Sequence, residues 1–436
     1  MLAASRSLPA ALSRLEALSP RGMKLGLAAI DALCERLGRP ERDVPSVLVA
    51  GTNGKGSAAA TLSAIATAAG ARTGLYTSPH LHRAGERIRI EEEDVTDEEL
   101  DEILARVFRA ADTAPEIPGT YFEILTAAAF LAFSARSLDL AVLEVGLGGR
   151  FDATNVAPAS LSVVTSIGLD HVEELGPTLA SIAREKAGVF RRGRPALVGW
   201  LEPEPASALL GAARETGALL HEAEREIVVA DRTTSVDGSR FLLATPLQRY
   251  ALTTPLAGAH QARNVALAVR AAELLGEALP GRSREAVASG VAATRWPGRL
   301  EKVKARGRTV LLDGCHNAEG AAALALFLRE TGLAGRVRLV FGAMADKDIE
   351  EIAAVLFPAA STVRLVTAPS PRAATAEELS RRTAAVRPDA VASPSLDFAL
   401  RELLEEPDPA PIIVAGSLYL VGAARSEILS GRLEDA

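Results

Sequence analysis

The chain has 436 residues, of which 48% are hydrophobic and only 4% aromatic, and this length exceeds what one hydrophobic core usually serves. A formal net charge of -7 argues against a general nucleic-acid or membrane-surface binder, because basic faces attract those partners. Two cysteines, Cys34 and Cys315, are too few for a disulfide framework, so we expect a cytoplasmic protein. The length of the chain predicts two domains.

The predicted elements begin with an amphipathic helix over Met1–Pro20. A short buried strand follows at Ser46–Ala50 and breaks at Gly51 into an alanine-rich helix over Ser57–Gly70. The most apolar segment, Ile124–Ala135, is shorter than the ~20 residues that cross a bilayer. It therefore predicts a buried helix in a protein without a membrane span.

Two further buried strands are predicted at Leu140–Val145 and Leu161–Ile167. The first ends in a glycine-rich turn, and the second ends just before Asp170 and His171. In a parallel α/β sheet the carboxyl ends of the strands lie along one edge, which is where ligands bind. We therefore expect the loops after these strands and after Ser46–Ala50 to converge.

The sequence changes character after about residue 290, where Arg295–Arg299 contains a Pro-Gly turn signal. We predict a mainly parallel-sheet domain over residues 1–294, a hinge linker over 295–299 and a smaller Rossmann-like α/β domain over 300–436. The strands predicted for the second domain are Thr309–Leu312, Val337–Phe341, Val363–Thr367 and Ile412–Ala415. Its predicted helices include Ala318–Glu330 and Ala376–Ala385.

The segment between the first strand and its helix has the composition of a phosphate loop. It reads Gly51-Thr52-Asn53-Gly54-Lys55-Gly56-Ser57. Glycines let backbone N–H groups turn toward an anion, and the helix N-terminus adds positive potential. Lys55 supplies a cation for terminal phosphates, and Ser57 can offer its hydroxyl to Mg²⁺. This predicts a P-loop ATPase domain, whereas a tight turn with a solvated lysine would leave the ordered strand, lysine, hydroxyl and helix unexplained.

Two departures from the general P-loop pattern, Ala50 five residues before Lys55 and Gly56 directly after it, disfavour an ordinary GTPase or ATPase. They point to the ATP-dependent Mur ligase superfamily, and within it the chain resembles the folylpolyglutamate synthase and dihydrofolate synthase family. Besides the phosphate loop, the motifs that carry this resemblance are Thr77-Ser78-Pro79-His80-Leu81, Tyr121-Phe122-Glu123, the segment Glu144–Asn155, Gly168-Leu169-Asp170-His171, Glu185-Lys186-Ala187-Gly188, His260–Asn264, Trp296–Arg299 and Leu312–Asn317.

The resemblance implies a ligase that uses ATP to activate a carboxylate as an acyl phosphate and then forms an amide with glutamate. Phosphoryl transfer of this kind needs positioned cations more than covalent help from the protein. Lys55 and Mg²⁺ are the expected suppliers, and two ions are expected. A monovalent cation is also compatible with the resemblance.

The metal ligands implied by the resemblance are Glu144, His171 and Lys186, in addition to Ser57. Glu144 provides a hard carboxylate oxygen suited to Mg²⁺, and His171 is assigned to a second ion. Lys186 resembles the family lysine that reacts with CO₂, which would turn a cation into a carbamate that can hold Mg²⁺. Read without the family, these residues could be a strand-end acid, a structural histidine and a salt-bridging helix lysine.

The resemblance implies that Asn264 and Arg299 hold the adenine and the phosphates of the nucleotide from the far side of a cleft, and domain closure could bring in Arg299. The resemblance assigns Asp313 to the nucleotide and His316 to the transfer step, so the expected catalytic residues are Lys55, Lys186 and His316. A helix N-cap aspartate beside a structural histidine is the alternative for Asp313 and His316. Cys315 is interpreted as a small packing residue and not as a nucleophile.

The resemblance implies that the acyl substrate contacts Ser78, Pro79, His80 and Arg83, and that a pterin pocket is lined by Phe122, Glu123, Phe151 and Asp152. An aromatic ring can stack on a pterin, and a carboxylate can accept its N–H groups. A core position is nearly as good an account of Phe122. Arg83 and Arg89 are candidate contacts to a polyglutamate tail, and an exposed strand arginine is an equally good account of each. A metal pair of His80 and His82 is disfavoured, because alternating side chains of an extended chain face opposite sides.

The substrate within the family is left open between dihydropteroate, reduced folates and both, with both favoured. A cell-wall Mur ligase acting on a UDP-muramoyl precursor is the main alternative, disfavoured because the phosphate loop begins only about 50 residues into the chain. A P-loop nucleotide switch leaves Glu144, Lys186 and the second domain unexplained. The expected partners are small molecules only, and we expect a monomer.

Overall fold

The computed structural model describes residues 8–18 and 26–433, which fold as an α/β protein with two compact units. The first unit contains the described residues up to Val228, with Leu243–Tyr250 and Asn264–Val291. The second unit contains Val229–Leu242, Ala251–Arg263 and the described residues from Ala292 onward. The predicted fold class is confirmed, while the boundary at residues 295–299 and its role as a hinge remain predictions.

The first unit is built on an eight-stranded sheet with the strand order β4-β3-β2-β5-β1-β6-β7-β8. Its strands are β1 Ser46–Ala50, β2 Thr73–Tyr76, β3 Ile88–Ile90, β4 Glu93–Asp94, β5 Leu140–Glu144, β6 Leu161–Val164, β7 Pro195–Val198 and β8 Leu219–Glu222. In this order, each pair of neighbours from β2 to β8 is parallel. The pairs β2–β3 and β3–β4 are antiparallel. The carboxyl ends of β2, β5, β1 and β6 therefore lie side by side at one edge, as the sequence predicted for β5, β1 and β6.

In the described part of the chain, eleven α-helices lie wholly or partly in the first unit, and one of them is buried around most of its circumference. The helices are α1 Ala10–Glu16, α2 Ala28–Arg36, α3 Lys55–Ala68, α4 Asp97–Asp112, α5 Tyr121–Ala135, α6 Val172–Leu175, α7 Leu179–Lys186, α8 Pro203–Thr216, α9 Ala223–Glu226, α10 Ala259–Leu274 and α11 Arg284–Ala293. In α5 every residue from Glu123 to Phe133 is buried, which is typical of a helix that is apolar on all sides. The buried helix predicted at Ile124–Ala135 is therefore confirmed.

Only part of the predicted N-terminal helix can be compared with the structure. Ala10–Glu16 is helical as α1, and Leu12 and Leu15 are its buried residues. Residues 1–7 and 19–20 of the predicted helix lie outside the described residues. Among the residues that are described, none of the helices combines the length and the apolar character needed to cross a membrane.

A three-stranded sheet, which the sequence analysis did not predict, has the order β11-β10-β9. Its strands are β9 Val228–Ser235, β10 Gly238–Ala244 and β11 Arg249–Thr254. Buried and exposed residues alternate strictly along β11, as expected for a strand with one face on a core. This period of two was a usable signal that our sequence analysis missed.

The second unit contains a six-stranded sheet with the order β12-β13-β17-β14-β15-β16. The strands are β12 Glu301–Ala305, β13 Arg308–Asp313, β14 Val337–Phe341, β15 Ala360–Leu365, β16 Val391–Ala392 and β17 Ile412–Ala415, and the helices are α12 Ala318–Glu330, α13 Ile349–Leu356, α14 Ala376–Thr383, α15 Leu396–Glu405 and α16 Leu418–Leu429. Only β12 is antiparallel to its neighbour. The predicted smaller Rossmann-like α/β unit is confirmed, although the strand predicted as Val363–Thr367 is Ala360–Leu365 and the helix predicted as Ala376–Ala385 ends at Thr383.

Candidate active site

The phosphate loop, residues 51–57, connects β1 to α3 in the first unit. Gly51 has a φ of 148° and Gly54 a φ of 84°. A Cβ at Gly51 would lie 2.0 Å from Thr165 Oγ1, and a Cβ at Gly54 would lie 2.3 Å from Asn264 Oδ1. Gly54 is the N-cap residue of α3 and brings no side-chain cap. The helix therefore presents its first N–H groups and its positive end toward the loop, which suits an anion.

The loop that follows β6 fixes the shape of the phosphate loop. Thr165 Oγ1 donates to Asn53 O over 2.7 Å, and Asn53 N donates to Ser166 Oγ over 2.9 Å. Gly168 N donates to Thr52 Oγ1 over 3.0 Å. Neither Thr165 nor Ser166 was predicted from the sequence to have a role here. Two hydroxyl residues directly after a strand that neighbours the phosphate-loop strand were the available signal.

Two lysines meet at one backbone oxygen of the phosphate loop. Lys55 Nζ donates to Gly51 O over 3.0 Å, and Lys186 Nζ, from the end of α7, donates to the same oxygen over 2.9 Å. Burial, followed by repulsion from Lys55, lowers the pKa of Lys186 to about 7. Lys186 is only 4% exposed. The structure thus brings together the two predicted catalytic lysines, and a large share of Lys186 is a neutral amine near pH 7.

Glu144 lies beside the phosphate loop, because it ends β5 and is in register with Val49 of β1. It is 4% exposed, and its Oε2 accepts the N–H of Ser78 over 3.0 Å. Ser57 is buried in the first turn of α3. Among the described residues, His, Cys, Asp and Glu side chains form no group of three or more that could hold a metal. Mg²⁺ needs only a few protein ligands when substrate phosphates and water complete its coordination shell.

His171 lies in the loop after β6, with a φ of 52°, and precedes α6. Its Nε2 is 3.9 Å from Asp170 Oδ1, and its Nδ1 is 3.9 Å from Glu174 Oε2. Asp170 also raises the pKa of Lys186, against the larger effect of burial. The charge of Asp170, in the loop after β6, therefore acts on Lys186. Metal binding by His171 remains a prediction.

The glycine-rich turn after β5 is attached to the backbone around Lys186. Arg150 N donates to Glu185 O over 2.9 Å, and Asn155 Nδ2 donates to Gly188 O over 3.1 Å. Arg191, which the sequence analysis did not consider, donates to Asn155 Oδ1 over 2.7 Å and to backbone oxygens of both segments, including Val189 O. The motifs Glu144–Asn155 and Glu185–Gly188 are thus two halves of one local structure. Sequence spacing gives no sign of this long-range pairing.

The loop that contains the predicted substrate residues Ser78, Pro79 and His80 follows β2 at the same sheet edge. Ser78 is joined to Glu144 as described above. Arg83 Nη1 donates to Val95 O over 2.5 Å and lies 3.4 Å from Asp97 Oδ1. Arg83 is thus held by the segment that leads into α4, so its contact with a glutamate tail remains a prediction. Arg89 is likewise paired, with its Nε 2.8 Å from Asp94 Oδ1.

The residues predicted to line a pterin pocket divide into two aromatic and two acidic side chains. The ring of Phe122 is 5.9 Å from that of Tyr76, and Phe151 is 44% exposed. Glu123 is the N3 residue of a capping box, in which its carboxylate accepts the N–H of Thr120.

Asp152 also accepts donors from its own chain. Its Oδ2 accepts the N–H of Leu147 over 2.9 Å, and its Oδ1 accepts the hydroxyl of Thr154 over 2.6 Å. Burial raises the pKa of Asp152. Glu123 and Asp152 therefore hold local structure here, and recognition of a substrate by either carboxylate remains a prediction.

Asn264 lies on α10 in the first unit, against the phosphate loop. It is 9% exposed, and its amide is the group that a Cβ on Gly54 would strike. From the sequence, Asn264 was expected on the far side of a cleft. The structure instead groups it with the phosphate loop, because α10 runs through both units and only residues up to Arg263 belong to the second.

The loop that joins β13 to α12 contains the predicted residues of the second unit. Asp313 Oδ2 accepts the N–H of Leu300 over 2.9 Å, and Oδ1 accepts the N–H of Cys315 over 3.0 Å. His316 Nδ1 donates to Gly314 O over 3.0 Å, because a carbonyl oxygen can only accept a hydrogen bond. Arg299 Nη1 donates to Gly298 O over 3.2 Å. The structure thus brings Arg299, Asp313 and His316 to one loop region of the second unit.

Two further side chains belong to this region. Cys315 is 7% exposed, and burial raises the pKa of its thiol, so it carries little thiolate. His260, which the sequence analysis did not assign, has a pKa lowered first by burial, while Asp313 raises it and Arg299 lowers it. His260 is therefore within electrostatic reach of the predicted residues, and the His260–Asn264 motif was the signal for it.

Comparisons with known proteins match both units. A model of the Mur ligase middle domain matches residues 49–272, and a model described as "Mur ligase, glutamate ligase domain" matches residues 298–418. The folylpolyglutamate synthase of Lacticaseibacillus casei is 34% identical over 407 residues, which cover 92% of this chain and 94% of that protein. The dihydrofolate synthase/folylpolyglutamate synthase of Escherichia coli is 38% identical over 371 residues, which cover 84% of this chain and 83% of that protein.

A solved structure agrees with these matches. Escherichia coli FolC in complex with DHPP and ADP has a TM-score of 0.87 and 34% sequence identity to this chain, with 99% of this chain and 100% of that one covered. The resemblance stated from the sequence motifs is thereby confirmed. The chain belongs to the Mur ligase family, in the branch formed by the folylpolyglutamate synthases and dihydrofolate synthases.

Proposed function

We propose that the chain is an ATP-dependent ligase that adds L-glutamate to dihydropteroate, to reduced folates, or to both, through an acyl phosphate. The observation that carries the proposal is the glycine loop at the start of α3, with Lys55 and Lys186 on one of its carbonyls and Glu144 on the neighbouring strand. That arrangement concentrates cations and backbone N–H groups where the terminal phosphates of ATP would lie. The relatives' bound ADP supports the nucleotide part of the proposal.

The nucleotide is assigned to the phosphate loop, to Asn264 and to two residues of the second unit. In the phosphate loop the assigned residues are Gly51, Thr52, Asn53, Gly54, Lys55, Gly56 and Ser57. Lys55 is the group that would neutralise charge on the transferred phosphoryl. In the second unit we assign Arg299 to the phosphates and Asp313 to the nucleotide. His316 would assist the amide-forming step from the loop after β13, where its Nδ1 donates to Gly314 O.

Mg²⁺ fits the donor set at the phosphate loop, since Glu144 and Ser57 offer hard oxygens beside cradle positions that a Cβ would fill. When bound, Mg²⁺ would neutralise phosphate charge and polarise the transferred phosphoryl. A second ion is assigned to His171 and to Lys186 as a carbamate. A requirement for a monovalent cation as a further cofactor would also be compatible with membership of this family.

The carbamate on Lys186 requires a neutral amine, whose lone pair attacks the carbon of CO₂ while one N–H proton leaves to solvent. The burial that holds the pKa of Lys186 at about 7 supplies this neutral amine near physiological pH. A carbon signal of a carbamate after incubation with ¹³C-bicarbonate would support the modification. Its absence under conditions that support turnover would remove the carbamate from the proposal and leave the ligase assignment intact.

The acyl substrate is assigned to Ser78, Pro79, His80, Arg83, Phe122, Glu123, Phe151 and Asp152. One relative bears the name folylpolyglutamate synthase alone, and others bear the bifunctional name. We propose that this chain has both activities and acts as a monomer. The cell-wall alternative is not favoured, because these relatives match over most of the chain and carry folate names.

The decisive experiment is phosphate release with ATP, Mg²⁺ and glutamate, using dihydropteroate, a reduced folate and a UDP-muramoyl substrate in parallel. We expect release with the first two and a product heavier by one glutamate residue in a mass spectrum. Without glutamate, hydroxylamine should trap the acyl phosphate as a hydroxamate. Release with the UDP-muramoyl substrate alone would overturn the assignment.

A further inference from the structure

The β2–β3 loop, residues 77–87, has a conformation fixed by its own carboxylate. Glu86 accepts the backbone N–H groups of three successive residues, Leu81 over 2.8 Å, His82 over 3.1 Å and Arg83 over 3.2 Å. Thr77 N donates to Arg87 O over 2.9 Å and closes the loop at its base. The side chains on this loop are therefore presented from a defined backbone.

Arg87 stands at the base of the β2–β3 loop and is held on two sides. Its Nε donates to His80 Nδ1 over 3.0 Å, and its Cζ lies 5.1 Å from the ring centroid of Tyr121. Arg87 also lowers the pKa of Glu16, against the larger effect of burial. The cation–π contact with Tyr121 and the hydrogen bond to His80 hold the guanidinium in front of the imidazole.

The hydrogen bond from Arg87 decides which form of His80 is present. A guanidinium is always protonated and can only donate, so Nδ1 must be the unprotonated nitrogen of the ring. A neutral imidazole then carries its proton on Nε2. Burial, with the charges of Arg87 and His82, lowers the pKa of His80 to about 4. Among the described residues the bond at Nδ1 is the one hydrogen bond of this ring, which leaves Nε2–H for a ligand.

The position of His80 places this donor beside the candidate active site. Ser78, two residues before His80, donates its N–H to Glu144. Tyr121, on which Arg87 stacks, precedes Phe122 at the start of α5. The donor therefore lies on the side of the site to which the acyl substrate is assigned, whereas the phosphate loop follows a different strand.

We propose that Arg87 is a positioning residue, which holds His80 as a neutral donor at Nε2, and that this N–H recognises an acceptor oxygen of the acyl substrate. The inference rests on the proposed function and extends it by naming a recognition rule. A carbonyl or carboxylate oxygen fits this position, and a substrate group that can only donate does not. Neither ATP nor glutamate is recognised by His80 in this proposal.

The kinetic test compares His80→Phe, which removes the donor, with His80→Gln, which keeps an amide N–H near the place of Nε2. His80→Phe should raise the KM for dihydropteroate or the reduced folate by about threefold to tenfold, the effect of one lost hydrogen bond. His80→Gln should stay within about threefold of the parent. The KM for ATP and for glutamate should not change in either variant. Equal KM values for the acyl substrate in both variants would overturn the proposal.

The positioning role of Arg87 is tested by Arg87→Met and Arg87→Lys. Methionine cannot donate to Nδ1, so Arg87→Met should reproduce the KM increase of His80→Phe, and lysine should restore part of it. Arg136→Ala is the matched control, because it removes a surface arginine of the same unit that pairs with Glu99. A KM increase with Arg87→Lys as large as with Arg87→Met would contradict the positioning role.

A spectroscopic readout separates this inference from the proposed function. In the ¹⁵N-histidine-labelled chain, the two-bond proton–nitrogen spectrum should show His80 as the Nε2–H form near neutral pH. Arg87→Met should shift that population toward the Nδ1–H form, and His80→Gln identifies the resonance. An Nδ1–H ring in the parent chain would overturn the inference even if ligase activity is present. An Nε2–H ring in a chain without folate ligase activity would instead refute the proposed function alone.

Discussion

The two strand–loop–helix segments β1–α3 and β13–α12 differ in whether a side chain caps the N-terminus of the helix. In β1–α3 the N-cap residue is Gly54, which offers no side chain. In β13–α12 the N-cap residue is Asn317, whose Oδ1 accepts the N–H of Gly320 over 2.9 Å. The first helix thus leaves its terminal N–H groups to an anion, while the second satisfies one of them from its own chain.

The two loops also differ in the charged side chains that bind their backbone: lysines in the first loop and an aspartate in the second. The side-chain nitrogens of two lysines meet at Gly51 O in the first loop, and one of them, Lys186, has a pKa lowered to about 7 by burial. In the second loop the Asp313 carboxylate accepts backbone N–H groups and stabilises the loop around His316. We infer that the first loop is adapted to bind phosphate. The second loop is stabilised by its own hydrogen bonds and presents individual side chains.

The largest expected effect tests the cationic character of the first loop. Lys55→Met keeps the length of the side chain and removes its charge, so kcat should fall by about 10²–10³-fold, the usual loss when a charge-stabilising donor is removed. Lys304→Met, which changes an exposed lysine of the second unit paired with Thr309 Oγ1, should not alter kcat. Steady-state phosphate release measures both. A kcat of Lys55→Met near that of the parent would remove the phosphate assignment of the loop.

The second lysine of the first loop should leave a signature in the pH dependence of stability. Lys186 has a pKa of about 7 in the folded chain and an ordinary value of about 10.4 when unfolded. Below pH 7 both states are charged, and the destabilisation from burying the ammonium is fully present. Between these values only the unfolded state is charged, so stability rises with pH by up to about 1.4 kcal/mol per pH unit.

Lys186→Met removes this group, so its stability advantage over the parent should be largest below pH 7 and should shrink as the pH rises toward 10. The measurement is the free energy of unfolding in urea, with bicarbonate excluded so that the amine is not modified. A difference between the two proteins that stays constant across this pH range would mean that the ammonium is not desolvated.

The geometry of the first loop is tested with two glycines of similar φ. Gly54 has a φ of 84° and Gly70 a φ of 87°, but a Cβ at Gly70 meets nothing within 4 Å. Gly70→Ala should cost about 1–2 kcal/mol of stability, the left-handed penalty alone. Gly54→Ala should cost about 1–3 kcal/mol more, because its Cβ strikes Asn264. It should also weaken ATP binding in calorimetry, and equal effects of the two substitutions would show that Asn264 moves aside freely.

Much of the fold could be predicted because its central strands are short, apolar and bounded by glycine or polar residues. Ser46–Ala50 and Ala318–Glu330 have the predicted bounds. The sheet β9–β11 was missed, because its alternating exposed residues make it less apolar than the buried parallel strands. The strand predicted as Leu161–Ile167 ends at Val164, since Thr165 and Ser166 turn their hydroxyls to the phosphate loop.

Residue types in the site were predictable where one segment carries the chemistry, as in the phosphate loop. Pairings between distant segments were not, because spacing along the chain contains no information on which loops meet. Lys55 and Lys186 share an oxygen, and Arg191 joins Asn155 to the Lys186 segment, across long sequence separations. The position of Asn264 was misjudged for the same reason, since one helix contributes to both units.

The smallest expected effect tests the second loop of the comparison. Asn317→Ala removes the cap of α12 and should cost about 1 kcal/mol of stability, with faster hydrogen exchange at the amide of Gly320. Thr375→Ala removes the equivalent cap of α14, where Thr375 Oγ1 accepts the N–H of Glu378, and serves as the matched control. If the N-terminus of α12 holds no phosphate, the two variants should lose similar stability and keep the KM for ATP of the parent. A tenfold or larger increase in that KM for Asn317→Ala alone would mean that both loops bind phosphate, because only a ligand at the helix end would sense this cap.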